Sequence, residues 1–244
     1  ENFKIFQMRK LFAILTLTIP VLVFSQEPNN KDERKNKKGI YRWDIGINGG
    51  VNINNPIVDD SPISGESFQG NLYGLTLIYH FNRIIAIKAD FDIENRGWQM
   101  DEFQLPDTST SLEDVTQVLN YFDIPAFMHF GFGNKFKVDI NIGPYVGFKV
   151  KDEIVSYEPD GTQLNDSDTR GRIGLSKFDN IDFGVVYGIG FDYQFHERIS
   201  IGFDALFERG MRVINEGKYK NSSIDLDFGI NFKLGKKKKK NKND

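Results

Sequence analysis

The residues best suited to acid–base or metal chemistry are three histidines, each near the end of an alternating apolar segment. His80, His129 and His196 could assist a serine nucleophile in lipid chemistry, but no Gly-x-Ser-x-Gly motif is present to supply one. The 244-residue chain contains no cysteine, which excludes thiolate metal sites and disulfides. Because no set of residues converges on a catalytic site, we predict no enzyme activity, no catalytic residue, no cofactor and no metal site.

A second candidate is the segment 158–168, "EPDGTQLNDSD", which contains four side chains that could offer oxygen ligands to Ca²⁺. They are Asp160, Asn165, Asp166 and Asp168. Their spacing does not match the alternating ligands and central glycine of an EF-hand loop. A solvated acidic loop is therefore the favoured interpretation, and Ca²⁺ binding the alternative.

The most regular charge pattern is "AIKADFDIE" at residues 86–94, where Lys88, Asp90, Asp92 and Glu94 alternate with apolar residues. A period of two indicates a β-strand with one apolar and one ionic face. Which face points inward decides what kind of protein this is.

Similar alternation predicts eight strands, with no convincing amphipathic helix between them. Three connections are tight, at 82–83, 133–134 and 196–198, and long polar connections fall between them at 53–70, 97–118, 152–178 and 210–221. Short turns that alternate with long loops are typical of an outer-membrane β-barrel, with the turns in the periplasm. The predicted strands are approximately 41–52, 71–81, 84–96, 119–132, 135–151, 179–195, 199–209 and 222–234.

Two observations place the apolar face outside, against lipid. A soluble lipocalin would bury that face, but an eight-stranded lumen has little room for so many Phe, Ile and Tyr side chains. The polar face also contains mid-strand glycines such as Gly74, Gly147 and Gly190, which would give long side chains room in a crowded interior. We therefore predict an all-β, eight-stranded antiparallel up-and-down transmembrane β-barrel.

This register places a network of charges inside the lumen, where acids outnumber bases. Unpaired buried charge is costly, so we expect ion pairs and water to plug the lumen. A narrow cation-preferring pore is the alternative. The predicted network contains Arg42, Asp44, Lys88, Asp90, Asp92, Glu94, Arg96, Asp123, Lys137, Asp139, Asp182, Asp192, Asp204, Asp225 and Asp227, joined by Glu208, Lys149, Lys151, Lys233, His80 and His129.

Aromatic residues gather at one end of the strands, as expected for a girdle at a membrane–water interface. Two prolines, Pro125 and Pro144, fall inside predicted strands, where a closed barrel has no free edge, so we expect a local bulge in each strand. The predicted girdle residues are Tyr41, Trp43, Tyr79, Phe81, Phe130, Phe132, Phe136, Tyr193, Phe195 and Phe232.

The N-terminal segment is typical of an export signal. Met8, Arg9 and Lys10 precede an apolar core at 11–24, and Ser25 ends a cleavage site. We predict a signal peptide with upstream residues at 1–25, a periplasmic leader at 26–40, the barrel at 41–234 and a lysine-rich periplasmic tail at 235–244. The net charge of −3 argues against nucleic-acid partners. The prediction is an outer-membrane location with both termini in the periplasm.

Three segments resemble the outer-membrane β-barrel family widespread in Bacteroidetes, the PorT-type or porin-family proteins. They are "NYFDIPAFMHFGFG" (120–133), "NIGPYVGF" (141–148) and "DFGVVYGIGFDY" (182–193), and the resemblance covers roughly residues 40–234. The family has both prolines; His129 replaces its more usual lysine, and "GKKKKKNKND" follows the last strand where barrels commonly end on an aromatic residue.

The resemblance implies barrel construction and no catalytic residues, and one member type is an accessory of type IX secretion. We expect a structural, adhesion or partner-docking role, with type IX secretion or a narrow pore as alternatives. The expected partners are outer-membrane lipid and lipopolysaccharide, the barrel-insertion machinery, and other envelope or secretion proteins.

Overall fold

The computed structural model describes residues 40–58, 66–105, 110–216 and 218–235. The predicted signal peptide, nearly all of the leader and the lysine-rich tail from residue 236 lie outside these ranges. Among the residues described, no helix is both long and apolar enough to cross a membrane.

Eight long strands form a closed antiparallel barrel. Each strand pairs with the long strands before and after it in the chain, and β1 pairs with β11 from Trp43–Leu234 to Asn54–Ser223 to close the ring. The predicted eight-stranded up-and-down barrel is confirmed. Its strands are β1 (Trp43–Asn54), β3 (Glu66–His80), β4 (Ile85–Gln104), β5 (Ser111–Gly133), β6 (Phe136–Tyr157), β8 (Ile181–Tyr193), β9 (Ile199–Gly210) and β11 (Ser222–Leu234); the short strands are β2 (Ile57–Val58), β7 (Gln163–Leu164) and β10 (Tyr219–Lys220).

The three tight connections lie together at one end of the barrel, called the turn end below. In the β3–β4 turn, the Asn82 side-chain oxygen accepts hydrogen bonds from the backbone N–H groups of Ile84 and Ile85, both at 2.8 Å. In the β5–β6 turn, Gly133 has φ of 128°, a conformation that favours glycine. Local turn chemistry therefore fixes the β3–β4 and β5–β6 hairpins.

Successive side chains of the barrel strands point to opposite sides. Phe91 and Phe228 are 38% and 52% exposed, whereas the adjacent Asp90 and Asp227 are only 1% and 5% exposed. The apolar face thus lies outside and the ionic face inside, which is the orientation predicted from the sequence.

The predicted bulges at Pro125 and Pro144 are wrong. Pro125 lies opposite Tyr145 in the β5–β6 ladder, Pro144 lies opposite Val185 in the β6–β8 ladder, and the register is the same on both sides of each proline. In the β5–β6 ladder the pairing skips residues 126–127 and 143–144, then resumes. A local interruption between neighbouring strands is enough to accommodate a residue that has no N–H to donate.

Opposite the turn end, the chain builds a folded cap instead of the predicted long polar loops. Strands β4 and β5 continue through most of the segment predicted as a loop at 97–118. In the segment predicted as a loop at 152–178, β6 continues to Tyr157, and a helix, α1 (Asp166–Ile173), follows β7. We use "cap" for residues 97–105, 110–121, 152–178, 211–216 and 218–220 together with Ile57 and Val58, which pair with β10.

The cap has a hydrophobic core of its own. Trp98 stacks on Tyr219 at 6.3 Å between ring centroids, and Phe178 meets Tyr219 edge-on at 5.5 Å. The expectation of polar surface loops without a helix is therefore wrong for the described part of this region. The buried members of this core are Trp98, Met100, Leu112, Val115, Leu119, Tyr121, Ile154, Leu164, Ile173, Leu175, Phe178, Ile214 and Tyr219.

Helix α1 is fixed by its two ends. Its N-cap, Asn165, accepts a hydrogen bond from the Asp168 N–H at 2.9 Å, and Gly174 ends the helix with φ of 69°. These are the standard side-chain cap and left-handed glycine stop. Because the helix buries only Thr169, Arg170 and Ile173, it has no apolar stripe that the sequence could reveal.

Candidate functional site in the barrel lumen

The structure places fourteen members of the predicted charge network on the inner face of the barrel, whereas Arg42 precedes β1 and donates to the Tyr79 hydroxyl at 3.3 Å. The fifteen predicted residues differ in burial. Four of them, near the turn end or beside it, are half-buried: Arg42, Lys137, Asp192 and Asp204. The other eleven are buried: Asp44, Lys88, Asp90, Asp92, Glu94, Arg96, Asp123, Asp139, Asp182, Asp225 and Asp227.

Arg96 is the centre of the first group of charges. Its guanidinium binds Glu94 and Glu208 directly and lies 3.3 Å from Asp123 and 3.5 Å from Asp182. The side chain is 1% exposed. The attraction between this cation and the four acids offsets part of the desolvation cost of the buried carboxylates.

Aromatic rings flank the same guanidinium. Arg96 lies 5.4 Å from the ring centre of Tyr121 and 5.1 Å from that of Tyr145, within the range of cation–π attraction. The Tyr145 hydroxyl donates to Asp182 at 2.9 Å, and the Asn221 amide donates to the same carboxylate oxygen at 2.7 Å. The group is therefore tied to β4, β5, β6, β8, β9 and the segment before β11.

Lys88 is the centre of a second group, nearer the turn end. Its ammonium lies 2.7 Å from Asp204 and 3.3 Å from Asp90, and 5.4 Å from the ring centre of Phe127. Between the two groups, the Asn48 amide donates to Asp92 at 2.7 Å and to Asp227 at 3.2 Å. This amide therefore links β1 to β4 and β11 inside the lumen.

The glycines of the inner face give these carboxylates space. A Cβ added at Gly74 would lie 2.1 Å from Asp92 Oδ1, and one at Gly190 would lie 2.1 Å from Asp204 Oδ1. Both distances are far shorter than any real carbon–oxygen contact. The mid-strand glycines are therefore required by the charged side chains that lie over them.

Sequence reasoning missed the apolar side chains inside the lumen. Phe127, Tyr145, Val186 and Leu206 form a buried cluster between the two charged groups. Two cavities of about 20 and 10 Å³ lie beside the charged groups, each with room for about one water molecule. Strand parity could have found these residues, because each is an even number of positions from a lumenal charge or glycine on its own strand.

Of the two lysines predicted to lie inside near this end of β6, Lys149 lies on the inward side and Lys151 does not. The β5–β6 register shifts between Asn120 and Tyr121, which leaves Val150 as an extra residue and reverses the inward side of β6 beyond it. Lys151 is consequently 56% exposed and pairs with Glu153, so its lumenal placement is wrong. Lys149 precedes the shift and keeps the inward side of β6, and its ammonium binds Asp152 of the cap at 2.8 Å.

Asp152 connects this part of the cap to α1. It accepts hydrogen bonds from Lys149, the Phe178 N–H at 2.9 Å and Arg170. Burial alone would raise the pKa of Asp152, but these hydrogen bonds and the two cations together lower the pKa below its ordinary value of 3.8.

The acidic segment 158–168 is used within the cap. Asn165 is the N-cap of α1, and Asp166 accepts from the Ile154 N–H at 2.9 Å and pairs with Arg170 at 3.0 Å. Asp160 accepts from the Thr162 N–H at 2.9 Å in a turn. Intramolecular partners therefore account for the orientation of these side chains, and the structure gives no support to the Ca²⁺ alternative at these positions.

The predicted girdle aromatics all lie in the half of the barrel near the turn end. Trp43 packs on Tyr79 at 4.7 Å between ring centres, and Tyr79 packs on Phe81 at 5.2 Å. Most are exposed on the outer surface, whereas Tyr41, Tyr79 and Phe130 are partly buried. The exposed members are Trp43, Phe81, Phe132, Phe136, Tyr193, Phe195 and Phe232.

The turn end opens into a vestibule of about 560 Å³. His80 lines it and lies 3.0 Å from Asp44, and Lys137 lines it on another strand. His196 lies in the β8–β9 turn at its edge, while His129 is buried deeper in the lumen. The three histidines therefore share one end of the barrel but form no common site.

Two groups of side chains in the described ranges bring metal-ligand atoms together. The first, Glu94, Asp123 and Glu208, surrounds the guanidinium of Arg96, which supplies the positive charge. The second is His129, Asp139 and Asp192, with ligand atoms within 4.8 Å of one another. The second group has no cation of its own at its centre.

Comparisons with known proteins give one family. The family model described as "Outer membrane protein beta-barrel domain" matches residues 24–216. A comparison with curated proteins finds no match.

Solved structures similar to this chain are outer-membrane proteins. Ail of Yersinia pestis, solved in complex with the heparin analogue sucrose octasulfate, is 15% identical with a TM-score of 0.41 over 78% of this chain and 99% of its own. OprG of Pseudomonas aeruginosa is 14% identical with a TM-score of 0.46 over 81% and 99%. Outer membrane protein W of E. coli is 13% identical with a TM-score of 0.39 over 79% and 98%.

Proposed function

The chain belongs to the outer-membrane protein β-barrel family, and on that premise we propose that it anchors a rigid cap in the outer membrane for adhesion or docking. In this proposal the barrel is a non-conducting, non-enzymatic scaffold. The observation that carries it is the contrast between a lumen filled by side chains and a cap that has its own hydrophobic core.

We further propose that both termini and the turn end face the periplasm and that the cap faces outward. Short turns at one end and longer elements at the other support this orientation, because barrels of this class place their turns in the periplasm. The same proposal includes a signal peptide at 1–25, a leader at 26–40, the barrel at 41–234 and a basic tail at 235–244. We also propose that, within the family, this chain is one of the PorT-type proteins of Bacteroidetes.

Apolar side chains and the small size of the lumenal cavities support a plugged lumen. Phe127, Tyr145, Val186 and Leu206 occupy the lumen between the two charged groups, and the cavities beside those groups hold about 20 and 10 Å³. Neither cavity has room for a hydrated ion and its water shell. An ionic lining interrupted by these four apolar side chains favours a scaffold over a cation-preferring pore.

The rim of the cap suggests the charge of its partner. Glu102 and Glu113 are exposed and directly opposite each other in the β4–β5 ladder, an arrangement that destabilises a sheet. Asp101 and Asp114 are exposed beside them. A partner with basic groups, or divalent cations that bridge lipopolysaccharide, would relieve this repulsion.

Planar-bilayer recording of the full chain tests the plug. We expect no steady current from barrels whose insertion is verified by heat-modifiable gel migration. Phe127→Ala combined with Leu206→Ala should open the lumen, so this variant serves as the positive control for detection. A steady current from the unaltered barrel would favour the narrow pore and contradict the scaffold.

Site-specific photo-crosslinking in intact cells tests docking. A crosslinker at Glu102 on the cap should capture an envelope partner, and the matched position Asn134 in a turn should not capture the same partner. Equal capture at both positions, or none at Glu102, would contradict a docking role for the cap. Deletion of the gene with an altered set of secreted proteins would instead support the type IX alternative.

A further inference from the structure

We propose that His129, Asp139 and Asp192 form a binding site for one divalent first-row transition-metal ion inside the lumen near the turn end. Their ligand atoms lie within 4.8 Å of one another. One imidazole nitrogen with two carboxylate oxygens is a donor set suited to ions such as Zn²⁺, Mn²⁺ or Fe²⁺. Three protein ligands leave further coordination positions for water.

The barrel register brings the three side chains together. His129 is opposite Asn141, so Asp139 is its diagonal neighbour across the β5–β6 ladder. Asp192 is opposite Lys137, so it is the diagonal neighbour of Asp139 across the β6–β8 ladder. Diagonal neighbours on one face of a sheet are close enough for long side chains to meet. Three adjacent strands thus hold one ligand each on rigid backbone.

A chain of hydrogen bonds fixes the tautomer of His129. The Asn141 amide nitrogen donates to Asp204 at 2.9 Å, which leaves the Asn141 amide oxygen facing His129 Nδ1 at 2.8 Å. An amide oxygen can only accept, so Nδ1 donates its proton and Nε2 of the neutral ring presents a lone pair. Metal-binding histidines characteristically donate their second ring N–H in this way.

The lone pair of His129 faces a carboxylate. Nε2 lies 3.5 Å from Asp139 Oδ1, which is too long for a hydrogen bond. Asp139 is 2% exposed, and within the described chain its Oδ1 has no hydrogen-bond partner. Two buried electron pairs that face each other repel unless a cation lies between them. A bound metal ion would satisfy both atoms at once.

The nearby cations leave this part of the lumen with an excess of negative charge. Lys88 is held by Asp90 and Asp204, at 3.3 and 2.7 Å. Lys137 stands opposite Asp192 on the next strand and lines the vestibule. The carboxylates in this part of the lumen therefore outnumber its ammonium groups. A divalent ion would reduce this excess, and the vestibule gives it a path from the turn end.

The acidic group around Arg96 differs from the His129 group in its cation. Glu94, Asp123 and Glu208 are equally close to one another, but Arg96 binds all three. Arg96 already supplies a cation at the centre of that group. Only the His129 group combines a fixed imidazole lone pair with an unpartnered carboxylate oxygen.

Metal titration of the untagged full chain, folded in detergent micelles and freed of metal with a chelator, tests the site. Zn²⁺ affinity is measured by competition with a chromophoric chelator, and Co²⁺ absorption reports the ligand set. We expect one ion per barrel, loss of binding in His129→Gln and Asp139→Asn, and an affinity about 10–100-fold weaker in Asn141→Ser.

Asp225→Asn is the matched control, since Asp225 is a buried lumenal carboxylate outside the group. It should bind Zn²⁺ as the unaltered chain does. Heat-modifiable migration confirms that each variant folds, and Asp192→Asn replaces any variant that does not. No stoichiometric binding by the unaltered chain, or equal binding by the control and the ligand variants, would overturn the proposal.

Discussion

Replacement of Arg96 by methionine tests whether the lumenal ion pairs hold the barrel together. The guanidinium is 1% exposed and contacts Glu94, Asp123 and Glu208, with Asp182 at 3.5 Å. Methionine keeps much of the side-chain volume but removes the only positive charge within this group of the described structure. The perturbation therefore leaves several buried carboxylates facing one another without a cation.

The expected cost follows from the burial of the group. Removal of one partner from a buried ion pair typically costs about 3–5 kcal/mol, because it leaves an uncompensated charge. Arg96 serves more than one carboxylate, so we expect Arg96→Met to lower the free energy of unfolding by at least about 3–5 kcal/mol. Adding Glu94→Gln and Glu208→Gln should recover part of this loss, since a neutral group no longer needs the cation.

Denaturant unfolding in micelles, followed by the gel shift between folded and unfolded barrel, measures the effect. Arg212→Met is the matched control: Arg212 is 39% exposed and pairs with Asp179 at 2.8 Å in the cap. An exposed pair of this kind is worth about 0.2–1 kcal/mol. If Arg96→Met proves no more destabilising than Arg212→Met, the lumenal network does not stabilise the barrel.

Three further predictions address the seam, the cap core and the acid response of the cap. Gly50→Ala should lower the free energy of unfolding by about 1–3 kcal/mol in denaturant titrations, because its Cβ would lie 2.0 Å from the Leu226 carbonyl oxygen across the β1–β11 seam. Gly171→Ala is the control: a Cβ there would meet open space in α1, so the variant should be neutral or stabilised by up to about 1 kcal/mol. Trp98→Ala should cost about 3–5 kcal/mol and make the cap, but not the barrel, sensitive to protease, and a protease-resistant cap would contradict an independent cap core. Because the pKa of Asp152 is lowered on folding, its carboxylate stabilises the cap fully at neutral pH, and this stability is lost as the pH falls below 3.8 through the pKa of the folded state. Pepsin digestion at decreasing pH should reveal the loss, and the cap of Asp152→Asn should already be less stable at neutral pH.

The sequence predicts the barrel well because the barrel obeys one simple rule. In β4, Phe91 and Asp90 keep strict alternation, and the inner glycines keep the same parity as the charges. Side chains on such a strand must divide between lipid and lumen, so period two alone orients them. The same alternation also places Phe127 and Leu206 on the inner face. They are missed because an apolar side chain on the polar face gives no sign, in sequence, that it packs inside.

The cap could not be predicted because its local signals conflict. The register shift at Val150 reverses the inward face of β6, and Asp114 has φ of 48° beside another shift in β5. Period two therefore fails where the cap begins. Helix α1 shows only its caps, Asn165 and Gly174, and no apolar stripe. The position of its buried residues depends on contacts with β6 that are distant in sequence.

The His129 group illustrates a different limit. The sequence places His129, Asp139 and Asp192 on three strands and on one face, but it does not fix which diagonal neighbours meet. That depends on the stagger of adjacent strands, which turn length sets only approximately. The orientation of the Asn141 amide, which decides the tautomer, is visible only in three dimensions.

With the cap facing outward as proposed, its hydrophobic core also determines how an antibody would recognise this protein. Trp98, Phe178 and Tyr219 come from widely separated parts of the chain, and their packing fixes the surface segments around them. Any epitope there is consequently assembled from several segments at once. A synthetic peptide that copies one segment would lack the shape of the whole, so vaccine or binder selection should use the folded barrel as the antigen.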